Sequence, residues 1–194
     1  AEIDAQFSRK FLHQSDTLLN NARKGKSQRT GKNLGRILLV ADTNTYAACG
    51  KAADGMLGQR VLSRHIFEGE GVVIPDEVSV AAIEGKLTPE TDLIVGVGSG
   101  VINDLCKYVS HKNALPYVIV ATAPSMDGYA SRGSALILDG MKVTLNADVP
   151  KAIIADTAVL ASAPTEMIQA GYGDIVGKYS ALNDWELSRT VNGE

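Results

Sequence analysis

A glycine-rich segment lies between an apolar run and a helical pattern, and it offers a place for a phosphate group. It spans residues 96–104 and reads Gly-Val-Gly-Ser-Gly-Val-Ile-Asn-Asp. Glycines let backbone approach a phosphate closely, and a helix N-terminus presents free N–H groups and partial positive charge. The spacing departs from G-x-G-x-x-G, because Val101 stands at the third glycine's position. A tight strand-to-helix turn with positive φ angles explains the glycines equally well.

Asp42 is a second candidate, since it ends the apolar run 37–41. Ligands of parallel sheets bind outside the carboxyl ends of strands, where an acidic group accepts hydrogen bonds from ribose hydroxyls. An aspartate here also suits the cap of the following helix, a contact that contributes ~1 kcal/mol. One carboxylate can do both, and its position alone does not separate these roles.

Two further segments carry polar side chains at the ends of predicted elements. Residues 122–131, Thr-Ala-Pro-Ser-Met-Asp-Gly-Tyr-Ala-Ser, directly follow the apolar run 117–121 and are typical of a binding loop. We interpret Met126 and Tyr129 in this loop as packing residues. Asp174, which follows two glycines, is either a helix cap or a hard-oxygen ligand of a divalent metal that needs partner ligands.

The elements that must position these residues alternate between apolar runs and helical patterns. Predicted strands cover 37–41, 60–67, 93–95, 117–121 and 152–155, with a hairpin of 135–138 and 141–145 around Asp139-Gly140. Predicted helices cover 1–21, 43–57, 76–86, 100–109 and the region from Pro164 onward, with Thr43 or Asn44 as the cap of the second. This alternation predicts an α/β fold, a Rossmann-like parallel sheet with helices on both faces, followed by the start of an all-helical domain.

Composition narrows the class of protein. The chain has 194 residues, 45% of them hydrophobic and 21% charged, which excludes wholesale disorder and a coiled coil. The formal charge of −3 and the lack of a long apolar run predict neither a nucleic-acid nor a membrane partner. Two cysteines, Cys49 and Cys106, are predicted to be reduced and buried, which favours the cytoplasm. His13, His65 and His111 are predicted to be structural or solvated.

The segments 96–104, 122–131 and 171–174 together resemble the sn-glycerol-1-phosphate dehydrogenase family. That family is part of the superfamily of iron-containing alcohol dehydrogenases, glycerol dehydrogenases and dehydroquinate synthases. The resemblance runs from about Arg36 to the end of the sequence. It implies NAD or NADP as cofactor, one divalent metal (Zn, Ni or Fe), a small phosphorylated substrate, and a cytoplasmic homo-oligomer.

The resemblance also implies roles for single residues. Asp127 and Asp174 would bind substrate and serve catalysis, and Asp174 would be the first metal ligand. The residues that would bind the dinucleotide are Asp42, Gly98, Ser99, Gly100, Val101, Ile102, Asn103, Asp104, Thr122, Ala123, Pro124, Ser125 and Ser131.

The residue pattern and the resemblance together divide the chain into three parts. The pattern predicts a helix and basic linker in residues 1–33, which lie outside the resemblance. The resemblance implies a dinucleotide-binding domain in 34–162 and the beginning of a helical metal-binding domain in 163–194. Histidine ligands that the family carries in that domain are not in this sequence, so we expect residues 1–194 alone to be inactive. The alternatives are a glycerol dehydrogenase or dehydroquinate synthase of the same superfamily, or a non-catalytic nucleotide-binding module.

Overall fold

The protein is described by a computed structural model that covers residues 35–69 and 71–193. The predicted helix 1–21, the basic linker and His13 lie outside these residues. Five strands form a parallel sheet: β1 Ile37–Asp42, β2 Val61–Phe67, β3 Leu93–Gly98, β4 Tyr117–Ala121 and β7 Ala152–Ala155. The predicted α/β fold is therefore confirmed.

The connection from β1 to β2 has four helical pieces. They are α1 Thr43–Thr45, a π-helical turn Tyr46–Gly50, α2 Lys51–Leu57 and a 3₁₀ turn Gly58–Arg60. The other helices are α3 Glu77–Glu84, α4 Gly100–Lys112, α5 Thr157–Ala161 and α6 Thr165–Asn192. The short α5 was not predicted, and none of the described helices is long and apolar enough to cross a membrane.

A separate two-stranded hairpin, β5 Gly133–Leu138 and β6 Met141–Asn146, follows the loop after β4. Its turn residues Asp139 and Gly140 have φ angles of 50° and 75°. Positive φ at both central residues gives the turn a twist that matches the flanking strands, so the predicted Asp-Gly turn is confirmed.

The order of the sheet is β2-β1-β3-β4-β7. From β1 the chain moves outward to β2 and then returns to β3 on the other side of β1. The direction of winding therefore reverses between β1 and β3, and in open parallel sheets ligands bind at the carboxyl edge of that point. Asp42 ends β1 and Gly98 ends β3, so two of the candidate segments flank this place.

Both faces of the sheet are buried because successive side chains of the central strands point to opposite sides. One face contacts the π-helical turn and α2 through Leu39, Val95, Val120, Cys49, Ala53 and Leu57. The other face contacts α3 and α4 through Leu38, Ile94, Ile119, Ile83, Leu105 and Cys106. Cys49 and Cys106 are buried free thiols, as predicted. Burial of each large aliphatic side chain contributes roughly 1.5–3 kcal/mol, so these two layers stabilise the sheet that carries the candidate residues at its carboxyl edge.

Helix α6 is mostly exposed and crosses the loop after β4 at Gly171, the buried residue of this helix. A Cβ atom added at Gly171 would overlap the carbonyl oxygen of Pro124. The helix can approach the loop backbone this closely only where it has no side chain. Side chains farther along α6 face solvent, with Tyr179 80% and Trp185 69% exposed.

We predict that Gly171→Ala separates α6 from the loop after β4 and lowers the free energy of unfolding by about 1–3 kcal/mol, the usual cost of overpacking. Gly173→Ala is the matched control, because a Cβ atom there meets no atom within 4 Å. This control replaces a glycine inside a helix and is expected to stabilise the protein by up to about 1 kcal/mol. Urea unfolding followed by circular dichroism measures both variants; equal stability of Gly171→Ala and wild type would contradict the close crossing.

Candidate functional site

The candidate residues meet at the carboxyl edge of the sheet. Gly98 pairs with Ala121 in register, and the N–H of Thr122 donates to the carbonyl of Gly98 at 3.2 Å. The loop after β4 is thereby attached to the end of β3. The hydroxyl groups of Ser99 and Ser125 form a short hydrogen bond that joins the same two segments.

Asp42 is the N-cap of α1. Its Oδ1 accepts a hydrogen bond from the N–H of Thr45 at 2.8 Å, and the Thr45 hydroxyl accepts one from the N–H of Asp42 at 3.0 Å. The capping prediction for Asp42 is confirmed, whereas the prediction of Thr43 or Asn44 as the cap is wrong. Asp42 has the extended backbone of a cap residue, with φ −106° and ψ 173°, and Thr43 is already helical. The carboxylate oxygen Oδ2 takes no part in this capping box.

The glycines between β3 and α4 do not form a turn with positive φ. Strand β3 extends to Gly98 and α4 begins at Gly100, and no glycine of this segment has a positive φ angle. The turn interpretation is therefore wrong. A Cβ atom at Gly96 would lie 2.8 Å from the Cys106 sulfur, and one at Gly98 would lie 2.6 Å from the Ile102 Cβ. These two glycines let α4 pack closely on the strand, while a Cβ atom at Gly100 would point into open space.

The N-terminus of α4 is uncapped by its own side chains. Ser99 makes no capping hydrogen bond, and the first turn has no acidic residue. The first N–H groups of a helix lack intrahelical acceptors and carry partial positive charge, so an anion fits beside Gly100. The side chains of Ile102 and Asn103 are buried. Asn103 is 0% exposed and its N–H donates to the Ser99 carbonyl at 2.9 Å, so the contact of these two residues with a dinucleotide stays a prediction.

Lys107 is a residue of this region that the sequence interpretation missed. Its side chain is 0% exposed, and Nζ donates to the Gly133 carbonyl at 2.8 Å, the Ser131 hydroxyl at 3.2 Å and the Gly128 carbonyl at 3.3 Å. Asp104 Oδ1 lies 3.4 Å from the same ammonium. A lysine in a helix normally faces water, and the (i, i+3) spacing from Asp104 was the available signal.

Lys107 holds the segment 128–133 in place through its hydrogen bonds to Gly128, Ser131 and Gly133. Desolvation by burial raises the pKa of Asp104, although the Lys107 ammonium acts in the opposite direction. A buried charge is tolerated only when it is paired and hydrogen-bonded. The Lys107 ammonium meets this requirement through its contacts with Asp104, Gly128, Ser131 and Gly133. The hydrogen bond from Lys107 also holds Ser131, which is exposed at the end of the loop after β4.

The loop after β4 packs inward through Tyr129. The Tyr129 hydroxyl donates to the Ala123 carbonyl at 2.7 Å, and its ring packs against the α4 side of the core. Burial raises the pKa of the Tyr129 phenol. Its interpretation as a packing residue is confirmed. Thr122 and Ala123 are buried, whereas Pro124 and Ser125 are half-buried.

Asp127 and Asp174 are brought together where α6 crosses this loop. The N–H of Asp127 donates to Asp174 Oδ2 at 2.8 Å. Lys178 Nζ lies 2.7 Å from Asp127 Oδ2 and 3.7 Å from Asp174 Oδ1, and this ammonium lowers the pKa of Asp127. The two carboxylates thus share one cation and retain net negative charge. Lys178 is one helical turn beyond Asp174, an (i, i+4) spacing that could have indicated the pair.

Asp174 suits a divalent metal as a single carboxylate ligand at an exposed edge. Among residues 35–69 and 71–193, no group of three histidine, cysteine, aspartate or glutamate side chains is close enough to hold a metal ion. His65 lies in β2 against Phe67, and His111 pairs with Asp148 at 2.9 Å. Both histidines are structural or solvated, as predicted.

Comparisons with known proteins identify the family of this chain. Residues 20–164 match the family model "Iron-containing alcohol dehydrogenase". The chain is 40% identical over 164 residues to "Glycerol-1-phosphate dehydrogenase [NAD(P)+]" of Bacillus velezensis, which covers 81% of this chain and 41% of that relative. It is 37% identical over 164 residues to the protein of the same name from Methanoregula boonei, with 83% of this chain and 44% of the relative covered.

Solved structures show the same fold. A glycerol dehydrogenase from Schizosaccharomyces pombe superimposes with a TM-score of 0.63 at 22% identity, over 86% of this chain and 41% of that chain. An iron-containing alcohol dehydrogenase from Thermotoga maritima gives a TM-score of 0.62 at 19% identity, over 73% and 45%. The chain spans about two fifths of the length of the curated relatives that it matches. The family model covers most of the chain, and the chain therefore belongs to the iron-containing alcohol dehydrogenase family.

Proposed function

We propose that this chain is the cofactor-binding part of an NAD(P)-dependent oxidoreductase that interconverts dihydroxyacetone phosphate and sn-glycerol 1-phosphate. The observation that carries the proposal is the contact of Asp127 with Asp174 at the carboxyl edge of the sheet. It joins a candidate substrate loop to the candidate metal ligand, on the same edge as the open N-terminus of α4. The name shared by the curated relatives supports the choice of substrate.

In this proposal the dinucleotide lies across the edge between β1 and β3. Asp42 accepts hydrogen bonds from the adenosine ribose through Oδ2, which the capping box leaves unused. The pyrophosphate binds the first N–H groups of α4, and Gly100 leaves the space for its approach. The loop residues from Thr122 to Ser125, with Ser131, contact the rest of the cofactor.

The substrate lies between the loop after β4 and α6. When bound, a divalent metal ion (Zn²⁺, Ni²⁺ or Fe²⁺) polarises the ketone and the nicotinamide supplies the hydride. Asp174 contributes one ligand for the metal, and Asp127 accepts hydrogen bonds from substrate hydroxyls. The backbone crossing at Gly171 brings the two residues together.

The proposal extends to the organisation of the protein. We assign residues 34–162 to the dinucleotide-binding domain and 163–194 to the beginning of a helical metal-binding domain. The exposed apolar side chains of α6 support this division, because large exposed apolar patches mark surfaces that other elements cover. A cytoplasmic homo-oligomer that acts on a small phosphorylated substrate is part of the same proposal.

The direct test is NADH oxidation by the full-length protein with dihydroxyacetone phosphate and added Zn²⁺, Ni²⁺ or Fe²⁺. Turnover of dihydroxyacetone phosphate supports the proposal. Turnover of dihydroxyacetone alone would point to a glycerol dehydrogenase instead. Binding of NADH without turnover of either compound would favour a non-catalytic nucleotide-binding module.

We predict that Asp42→Asn shifts cofactor preference toward NADP. The negative charge at Asp42 repels a ribose 2′-phosphate, so its removal should raise the affinity for NADP relative to NAD by about tenfold, or about 1.4 kcal/mol. Asparagine is as good an N-cap as aspartate, so the variant keeps the helix start intact. Asp76→Asn is the matched control, since Asp76 caps α3 in the same way, accepting from Ser79 at 2.9 Å. Fluorescence titration with both cofactors gives the ratio; an unchanged ratio in Asp42→Asn would remove Asp42 from the ribose site.

We predict that Gly100→Val weakens dinucleotide binding by about tenfold or more while the protein stays folded. The added side chain fills the open space beside the α4 N-terminus, which is where we place the pyrophosphate. Gly55→Val is the control, because a Cβ atom at Gly55 also meets nothing within 4 Å but lies on α2. Circular dichroism and NADH titration measure fold and binding. A folded Gly100→Val protein with wild-type affinity would show that α4 does not bind the pyrophosphate.

A further inference from the structure

We propose that Lys178 anchors the phosphate group of the substrate and thereby selects a phosphorylated ketone over an unphosphorylated one. This inference rests on the proposed function and adds a specificity-determining residue to it. Its basis is the position of the Lys178 ammonium between Asp127 and Asp174, at 2.7 and 3.7 Å from their carboxylate oxygens.

The charges of the site require a cation for a phosphorylated substrate. Asp127 and Asp174 present two carboxylates within one hydrogen-bonded contact. A phosphate monoester carries a charge of about −1.5 to −2 at neutral pH, so a neighbouring carboxylate repels it. A metal ion on Asp174 would offset the charge of that carboxylate, so the repulsion comes chiefly from Asp127. Within the described ranges, Lys178 is the one basic side chain in an ion pair with either carboxylate. An ammonium at this place can offset the repulsion.

The exposure of Lys178 suits a group that exchanges partners. Its side chain is 47% exposed, and the two carboxylates are 40% and 36% exposed. Exposed ion pairs contribute little to stability, so the ammonium can leave Asp127 for a phosphate at small cost. The lysine head is a compact charge on a flexible four-carbon stem, which lets it follow the phosphate of a small substrate.

Lys107 shows what a purely structural lysine looks like in the same protein. Its ammonium is fully buried and donates to two backbone carbonyls, the Ser131 hydroxyl and Asp104 Oδ1. Lys178 makes no hydrogen bond to a backbone carbonyl in the described contacts and contacts carboxylates that are themselves assigned to substrate and metal. The contrast favours a role in ligand binding for Lys178 over a role in holding the loop.

The experiment compares Lys178→Met, Lys178→Arg and the control Lys51→Met in the full-length, metal-loaded protein. Lys51 lies exposed on α2, away from the carboxylates. We expect Lys178→Met to raise KM for dihydroxyacetone phosphate by about tenfold or more while kcat changes much less. Lys178→Arg should restore most of the affinity. NADH binding and the Lys51→Met protein should match wild type.

A second readout, calorimetric binding of inorganic phosphate to the NADH complex, does not depend on turnover. Wild type should bind phosphate, and Lys178→Met should bind it about tenfold more weakly. Loss of kcat at unchanged KM, or equal phosphate binding by the two proteins, would overturn the inference. If wild type fails to turn over dihydroxyacetone phosphate, the proposed function fails, and phosphate binding alone decides the role of Lys178. Absence of phosphate binding by wild type overturns the inference as well.

Discussion

The close approach of backbone to backbone at Gly171 is the contact on which the candidate site depends. Without a side chain at this residue, α6 reaches the carbonyl of Pro124 and sets Asp174 directly against Asp127. Gly96 and Gly98 likewise leave room for the side chains of Cys106 and Ile102 where α4 packs on β3. The absence of a side chain at these three glycines therefore sets where the N-terminus of α4 and the carboxylates of Asp127 and Asp174 lie. The packing at Gly96 and Gly98 belongs to the close-packed interior, which resists small displacements.

Charge is distributed along the edge in a way that suits a dinucleotide and a phosphorylated substrate together. The uncapped N-terminus of α4 provides partial positive charge without any side chain, and Asp42 provides a negative charge at the end of the neighbouring strand β1. Lys107 supplies a buried cation beneath the loop, where it holds carbonyl oxygens in place. Two negative groups, Asp127 and Asp174, and one positive group, Lys178, lie together where α6 crosses the loop after β4. Asp42 and Lys107 lie on elements that pack on the sheet, whereas Asp174 and Lys178 lie on the mostly exposed α6.

The apolar runs predicted the sheet well because strands buried on both faces need continuous hydrophobic side chains. They also predicted where the loops of the site begin, since these loops follow directly at the strand ends. The role of the glycines was harder to predict. Glycine permits both unusual φ angles and close approach, and only the position of α4 shows that Gly96 and Gly98 serve the second purpose. Lys107 was missed for a related reason, because its acceptors lie more than twenty residues away in the chain.

The exposure of α6 bears on how firmly the site is held in this part of the protein. Asp174 and Lys178 lie on a helix that buries only Gly171, while Tyr172, Tyr179 and Trp185 face solvent at 73%, 80% and 69%. A helix gains most of its stability from packing of its apolar face, so one crossing holds the carboxylate contact weakly. In the proposed enzyme, the helical domain would cover these aromatic rings and fix α6. Cofactor binding at β1 and α4 uses no residue of α6 and should be largely independent of the helical domain. Substrate binding and metal binding use Asp174 and Lys178 of α6, so both should depend on that domain.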